Sequence, residues 1–108
     1  MNISMNQYQL EARHFAVFKP EVAEAYLSLK LNGEAGEVAE LVGKKLRGDP
    51  DKQDIREDIR KELGDVLWYV AVLADHYGIS LDSVAISNLD KLYSRKERGV
   101  IKGSGDNR

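Results

Sequence analysis

The chain has no cysteine, so disulfides, thiolate zinc sites and cysteine nucleophiles are excluded. Histidine occurs twice, at His14 and His76, too far apart in sequence to suggest a histidine-rich metal site. Any metal must be held mainly by oxygen. Two prolines and nine glycines are too few for a collagen-like or disordered chain. No apolar run approaches the roughly 18 to 20 residues that span a bilayer, which predicts no membrane partner. Residues 1–10 lack both the basic start and the apolar core of a signal peptide. The expected location is the cytoplasm.

What remains is a globular composition, 43% hydrophobic and 31% charged, in 108 residues. That length suits a single domain over 1–108. The net charge of −2 is unevenly spread. Residues 1–90 hold ten basic and sixteen acidic side chains, and residues 91–108 hold six and two. An acidic body with a basic tail suits an anionic ligand bridged to the body by a cation, and equally suits an ordinary domain with a solvated tail.

The pattern is helical throughout. Ser4 and Gln7 have capping-box spacing, and Met5, Tyr8, Ala12, Phe15 and Ala16 recur at helical intervals up to a stop at or before Lys19, ahead of Pro20. A second series, Val22, Tyr26, Leu29, Gly33, Gly36, Ala39 and Gly43, predicts a helix over about 21–46. Residues 47–54 form a polar loop punctuated by Gly and Pro. Ile55, Ile59, Leu63, Val66, Val70, Leu73 and Tyr77 then step by threes and fours, the stripe of a bundle helix. Gly78 is a natural stop, and Ser80 a natural cap for a fourth helix burying Leu81, Val84, Ala85, Leu89 and Leu92 and fading near Arg98. Residues 99–108, with three glycines, predict a mobile basic arm. No strand alternation or internal repeat occurs. The expected fold is all-α: about four helices in an antiparallel bundle.

Four acids stand in two matched frames. The second helix carries Glu34-Ala-Gly-Glu37 and the third Glu62-Leu-Gly-Asp65. Residues three apart share a helix face, roughly 5–6 Å apart at Cβ, so on spacing alone each pair can equally grip a cation from one side or belong to a solvated face. Twenty-four residues lie between Glu37 and Glu62, enough for the chain to turn and return antiparallel, bringing the pairs face to face. Carboxylates are hard oxygen ligands suited to Mg²⁺, with Mn²⁺ as a substitute. Glu62 and Asp65 border the apolar stripe, where a bare carboxylate is costly. The glycines before Glu37 and Asp65 each give up roughly 1 kcal/mol of helix propensity, which suggests helices approaching closely there. Glu40 reads as solvent-facing.

These strings resemble the MazG-like, all-α nucleoside triphosphate pyrophosphohydrolases. The resemblance runs from about Leu29 to Arg108 and includes residues 33–40 (GEAGEVAE), 61–69 (KELGDVLWY), 88–92 (NLDKL), Arg95 and 98–108 (RGVIKGSGDNR). One departure is Gly33, where dUTPase-like relatives carry another Glu. The resemblance implies cleavage of a (deoxy)nucleoside triphosphate between its α and β phosphates, giving monophosphate and pyrophosphate, as in the cleansing of nucleotide pools. It places metal-binding and catalytic roles on Glu34, Glu37, Glu62 and Asp65. It also implies a homodimer or homotetramer, in keeping with Tyr26, Trp68 and Tyr69, apolar area left over on so short a chain.

Further candidates are substrate contacts. Asn88 shares a face with Leu81, Ala85 and Leu92, as a buried amide or a substrate ligand. Lys91 and Arg95 are four apart and can hold phosphates or form an exposed basic face. Lys30 lies one turn before Glu34. Two alternatives stand beside the main one. Phosphoribosyl-ATP pyrophosphohydrolase shares the metal logic; a non-catalytic helical module could instead bind a partner or nucleic acid through the tail. Only Tyr93 among residues 91–108 is aromatic, so a nucleic-acid partner is disfavoured.

Overall fold

The computed structural model describes all 108 residues and is all-helical. Four α-helices follow in order: α1 Met5–Arg13, α2 Ala23–Arg47, α3 Arg56–His76 and α4 Leu81–Glu97, with short 3-10 turns at Pro20–Val22 and Pro50–Lys52. No helix is long and apolar enough to cross a membrane.

Local chemistry sets the helix ends. Ser4 and Gln7 form a full capping box, the Ser4 hydroxyl accepting from the Gln7 amide and the Gln7 side chain accepting from the Ser4 amide. Ser80 caps α4 by accepting from the Ser83 amide at 3.2 Å. Gly48 closes α2, and the Gln53 amide nitrogen binds the Lys45 and Asp49 carbonyls to hold the turn into α3. The first helix stops at Arg13, short of Lys19, because residues 14–19 turn to lay Ala16 and Phe18 against the core.

Helices α2 and α3 form an antiparallel hairpin, the most extensive contact in the molecule. Its open ends are tied by the Tyr77 hydroxyl donating to Glu24 at 2.6 Å. Helix α1 crosses α3 near this end, and Ala12, Ala23, Leu27 and Val72 form the small core, flanked by Tyr8, Phe18, Trp68 and Tyr69. The Trp68 indole N–H donates to the Ala12 carbonyl at 3.1 Å. Gln9, only 6% exposed, donates to the carbonyls of Ala71 and Ile79 and accepts from the Leu81 amide, joining α1, α3 and α4 at one point.

The molecule is open. Its radius of gyration is 16.7 Å, against roughly 13 Å for a compact chain of this length. Only ten residues are buried. The apolar face of α4 is covered at Leu81 and partly at Ala85, whereas Val84, Leu89 and Leu92 are exposed, contrary to expectation. Beyond its first turns α4 diverges from the hairpin, so Val84 borders an open groove and Leu89 and Leu92 are left bare. Leu63 of the α3 stripe is also exposed, and Tyr77, just past the end of α3, is exposed with its hydroxyl on Glu24. The glycine expectation also fails: a Cβ on Gly36 or Gly64 would meet open space. Each lies two residues past a frame acid, turned by about 200° from it around the helix, and so points away from the partner helix.

Candidate metal centre

The antiparallel hairpin brings the two acid frames together. Glu34, Glu62 and Asp65 each offer a carboxylate oxygen, and the three oxygens lie within 4.8 Å of one another. Glu34 and Glu62 are half-buried and Asp65 is exposed. Three carboxylates at this separation, none of them in an ion pair, are a hard-oxygen donor set that fits a divalent metal. Glu37 is not one of the three convergent groups, but its charge acts on Glu62. The Glu62 carboxyl holds its proton above the usual carboxylate range, first through partial burial, then through the charges of Asp65, Glu37, Glu34 and Asp58. Glu40 faces solvent, paired with Lys44 at 3.5 Å.

Two tyrosines feel the charge of the acids. Burial raises the Tyr8 phenol, and the charge of Asp65 adds to it. Tyr69 is pushed up to about 12 by burial, by the neighbouring Tyr26 hydroxyl and by the charges of Glu34 and Asp65. It keeps its O–H as a donor at neutral pH. The rings of Phe18, Tyr26, Tyr69 and Trp68 run as a chain, with successive centroids 5.5, 6.4 and 4.8 Å apart. The role of Tyr8 beside Asp65 escapes the sequence reading, because α1 and α3 are far apart along the chain. Tyr69 had a signal, lying one turn after Asp65 on the same helix face.

The candidate substrate contacts are spread over α2 and α4. Asn88 is exposed rather than a buried amide. With Lys91 it lines an apolar groove of about 590 Å³ between α1, α3 and α4, whose walls include Leu67 and Val70 but none of the four acids. Lys30 is exposed on α2. Arg95 is 7% exposed, covered by residues 99–108, which fold back along the end of α4. Gly99 and Gly105 make that reversal with φ of 73° and 86°, the left-handed region open to glycine at little cost. Asp106 then meets both Lys91 and Arg95. Their positive charges, Lys91 first, hold its carboxyl below the usual range.

Fold and site together define an all-α protein with a carboxylate cluster of divalent-metal type on one helical hairpin. The chain belongs to the family described as the MazG nucleotide pyrophosphohydrolase domain, which matches residues 22–100. It is 54% identical over 87 residues to the Gene 37 protein of Mycobacterium phage L5, covering 78% of this chain and 75% of that protein. It is 37% identical over 71 residues to the Uncharacterized protein YvdC of Bacillus subtilis (strain 168), covering 59% and 67%. No solved structure matches the chain.

Proposed function

We propose that the protein is a cytoplasmic, Mg²⁺-dependent hydrolase that cleaves nucleoside or deoxynucleoside triphosphates between the α and β phosphates, releasing monophosphate and pyrophosphate. The observation that carries this reading is the convergence of Glu34, Glu62 and Asp65, on a hairpin within the matched family region. These three would hold the cation, with Glu37 as the fourth ligand and Mn²⁺ as a substitute. When bound, the cation supplies charge neutralisation to the phosphates and acidifies water.

The chain's own groups do the rest. A carboxylate accepts the proton of the attacking water; the water oxygen bonds to the α phosphorus and the bond to the α–β bridging oxygen breaks. Tyr69, protonated at neutral pH, is a hydrogen-bond donor beside the acids. Asn88, Lys91, Arg95 and Lys30 are the proposed contacts to the nucleotide, and pool cleansing is the proposed role.

The test is a panel of canonical and damaged nucleotides, with phosphoribosyl-ATP among them, incubated with Mg²⁺. Monophosphate and pyrophosphate from a triphosphate are the expected products. Diphosphate and orthophosphate would reject the proposed bond, and turnover of phosphoribosyl-ATP alone would move the assignment to that substrate. No Mg²⁺-dependent pyrophosphate from any of them would favour a binding module.

The proposal includes a homodimer or homotetramer. The bare faces of α3 and α4, with Leu63 52% and Leu89 50% exposed, support it, because apolar faces of this extent on a soluble domain mark contact surfaces. Sedimentation at micromolar concentration is expected to give a dimer or tetramer. A monomer at every concentration would show that the chain leaves these faces in water.

A further inference from the structure

We propose that Asp106 is an internal anion that fills an oxyanion site made by Lys91 and Arg95, and that a phosphate group of the substrate enters this site by displacing it. The substrate's part in this rests on the hydrolase reading above; the exchange of one anion for another does not.

The site is built into the fold. Arg95 is 7% exposed, and its guanidinium donates to the Asp106 carbonyl at 2.7 Å and to the Asp106 Oδ1 at 3.4 Å. Lys91, one turn earlier, donates to the same Oδ1 at 3.4 Å. A buried guanidinium is stable only when its charge is answered, and here the answer comes from the folded-back arm.

The carboxylate part of that answer is loosely held. Both cations reach a single carboxylate oxygen, each at a long distance, and the Asp106 side chain is 81% exposed. The Lys91 pair, exposed on both sides, contributes little, and the short bond from Arg95 goes to the Asp106 main-chain carbonyl rather than to its carboxylate. A phosphate offers more charge and three acceptor oxygens, and charge-assisted bonds to phosphate are among the strongest a guanidinium makes. Access is also present, because Lys91 lines the 590 Å³ groove together with Asn88 and so faces both the arm and the space a ligand can enter.

The arm has the means to leave and return. Apart from the Asp106 contacts, it is tied to α4 by the Gly99 amide on the Lys96 carbonyl and the Val100 amide on the Arg95 carbonyl, and to Arg98, just past α4, by the Arg98 guanidinium donating to the Arg108 carbonyl oxygen. Arg108 binds the carbonyls of Val100, Ile101 and Gly105, which are contacts within the arm itself. These bonds can travel with the arm, so that only the Asp106 contacts and a few backbone bonds break.

The exchange reduces apparent affinity by the fraction of molecules in which the site is already free. Removing the Asp106 charge is expected to tighten binding about fivefold, the scale of an exposed ion pair. The experiment uses inorganic pyrophosphate in the presence of a chelator, so that neither turnover nor the carboxylate centre takes part. Titration calorimetry is run on the wild type, Asp106→Asn, Lys91→Met and the double variant. Hydrogen exchange of residues 99–108 is followed with and without saturating pyrophosphate.

The expected results are tighter binding by Asp106→Asn, loss of that gain when Lys91 is also replaced, and faster exchange in the wild-type arm when pyrophosphate is bound. Equal or weaker binding by Asp106→Asn, no binding by either protein, or increased arm protection on binding would overturn the displacement. Failure here with active nucleotide hydrolysis removes the arm's role alone. Success here with no hydrolysis of any nucleotide removes the hydrolase reading alone.

Discussion

Glu62→Gln is expected to remove Mg²⁺-dependent turnover by more than about a hundredfold, since groups merely supporting a metal ligand are already worth 10- to 100-fold. Asp65→Asn should do the same, and circular dichroism of both variants should remain helical. The metal-free proteins carry a second signature. In the wild type, partial burial and three acids of the site frames hold the Glu62 carboxyl above its usual range. The folded state therefore binds a proton there more tightly than the unfolded chain, and stability falls as pH rises through that window. Glu62→Gln should melt at a higher temperature than the wild type in chelator at neutral pH, and the difference should shrink as pH is lowered through the raised Glu62 range. Turnover like the wild type in both variants would remove these acids from the centre.

The second large effect belongs to a residue remote from the chemistry. Gln9→Leu keeps most of the side-chain volume but leaves the Ile79 carbonyl and the Leu81 amide without this partner, while the Ala71 carbonyl, inside α3, keeps its helical bond. Unsatisfied buried groups cost about 1–3 kcal/mol each, and water can recover part of that. The net loss is expected to be about 3 kcal/mol, a large share of the 5–15 kcal/mol of a typical domain. Asn6→Ala, which removes an exposed bond from the Asp82 amide at 2.9 Å, is the comparison and should cost less than about 1 kcal/mol. Chemical denaturation of both measures the difference; equal losses would mean that Gln9 joins nothing of consequence.

Sequence periodicity located four helices because their ends are chemically marked: Ser4 with Gln7, Gly48, Gly78 and Ser80 each act locally. The approach of Glu34 to Glu62 and Asp65 was legible for the same reason, since spacing along one helix fixes a face and a short turn fixes the facing helix, whereas Glu37 stays outside the convergent group. Gln9 was not legible, because a glutamine on a helix gives no hint of partners 62 to 72 residues away. The stripe on α4 marked an apolar face correctly, but periodicity says nothing about which surface covers it. Lys91 and Arg95 read as a phosphate-binding pair, and Asp106 across a glycine-rich segment carried no pattern that would join it to them.

The short turn between α2 and α3 also governs the order in which the molecule assembles. The carboxylate centre needs only this hairpin, whereas α1 is anchored through pairs such as Ala12 with Trp68 and Gln9 with Leu81, 56 and 72 residues apart. Closing a longer loop costs more entropy, and local contacts form sooner. The hairpin is thus the natural nucleus, with α1 docking after the rate-limiting step. Substitutions in α1 should speed unfolding and leave the refolding rate nearly unchanged. Three like charges must converge during the same early step, so a divalent cation present at that moment relieves their repulsion. A divalent cation is then expected to raise the refolding rate itself, which refolding kinetics with and without the cation would measure.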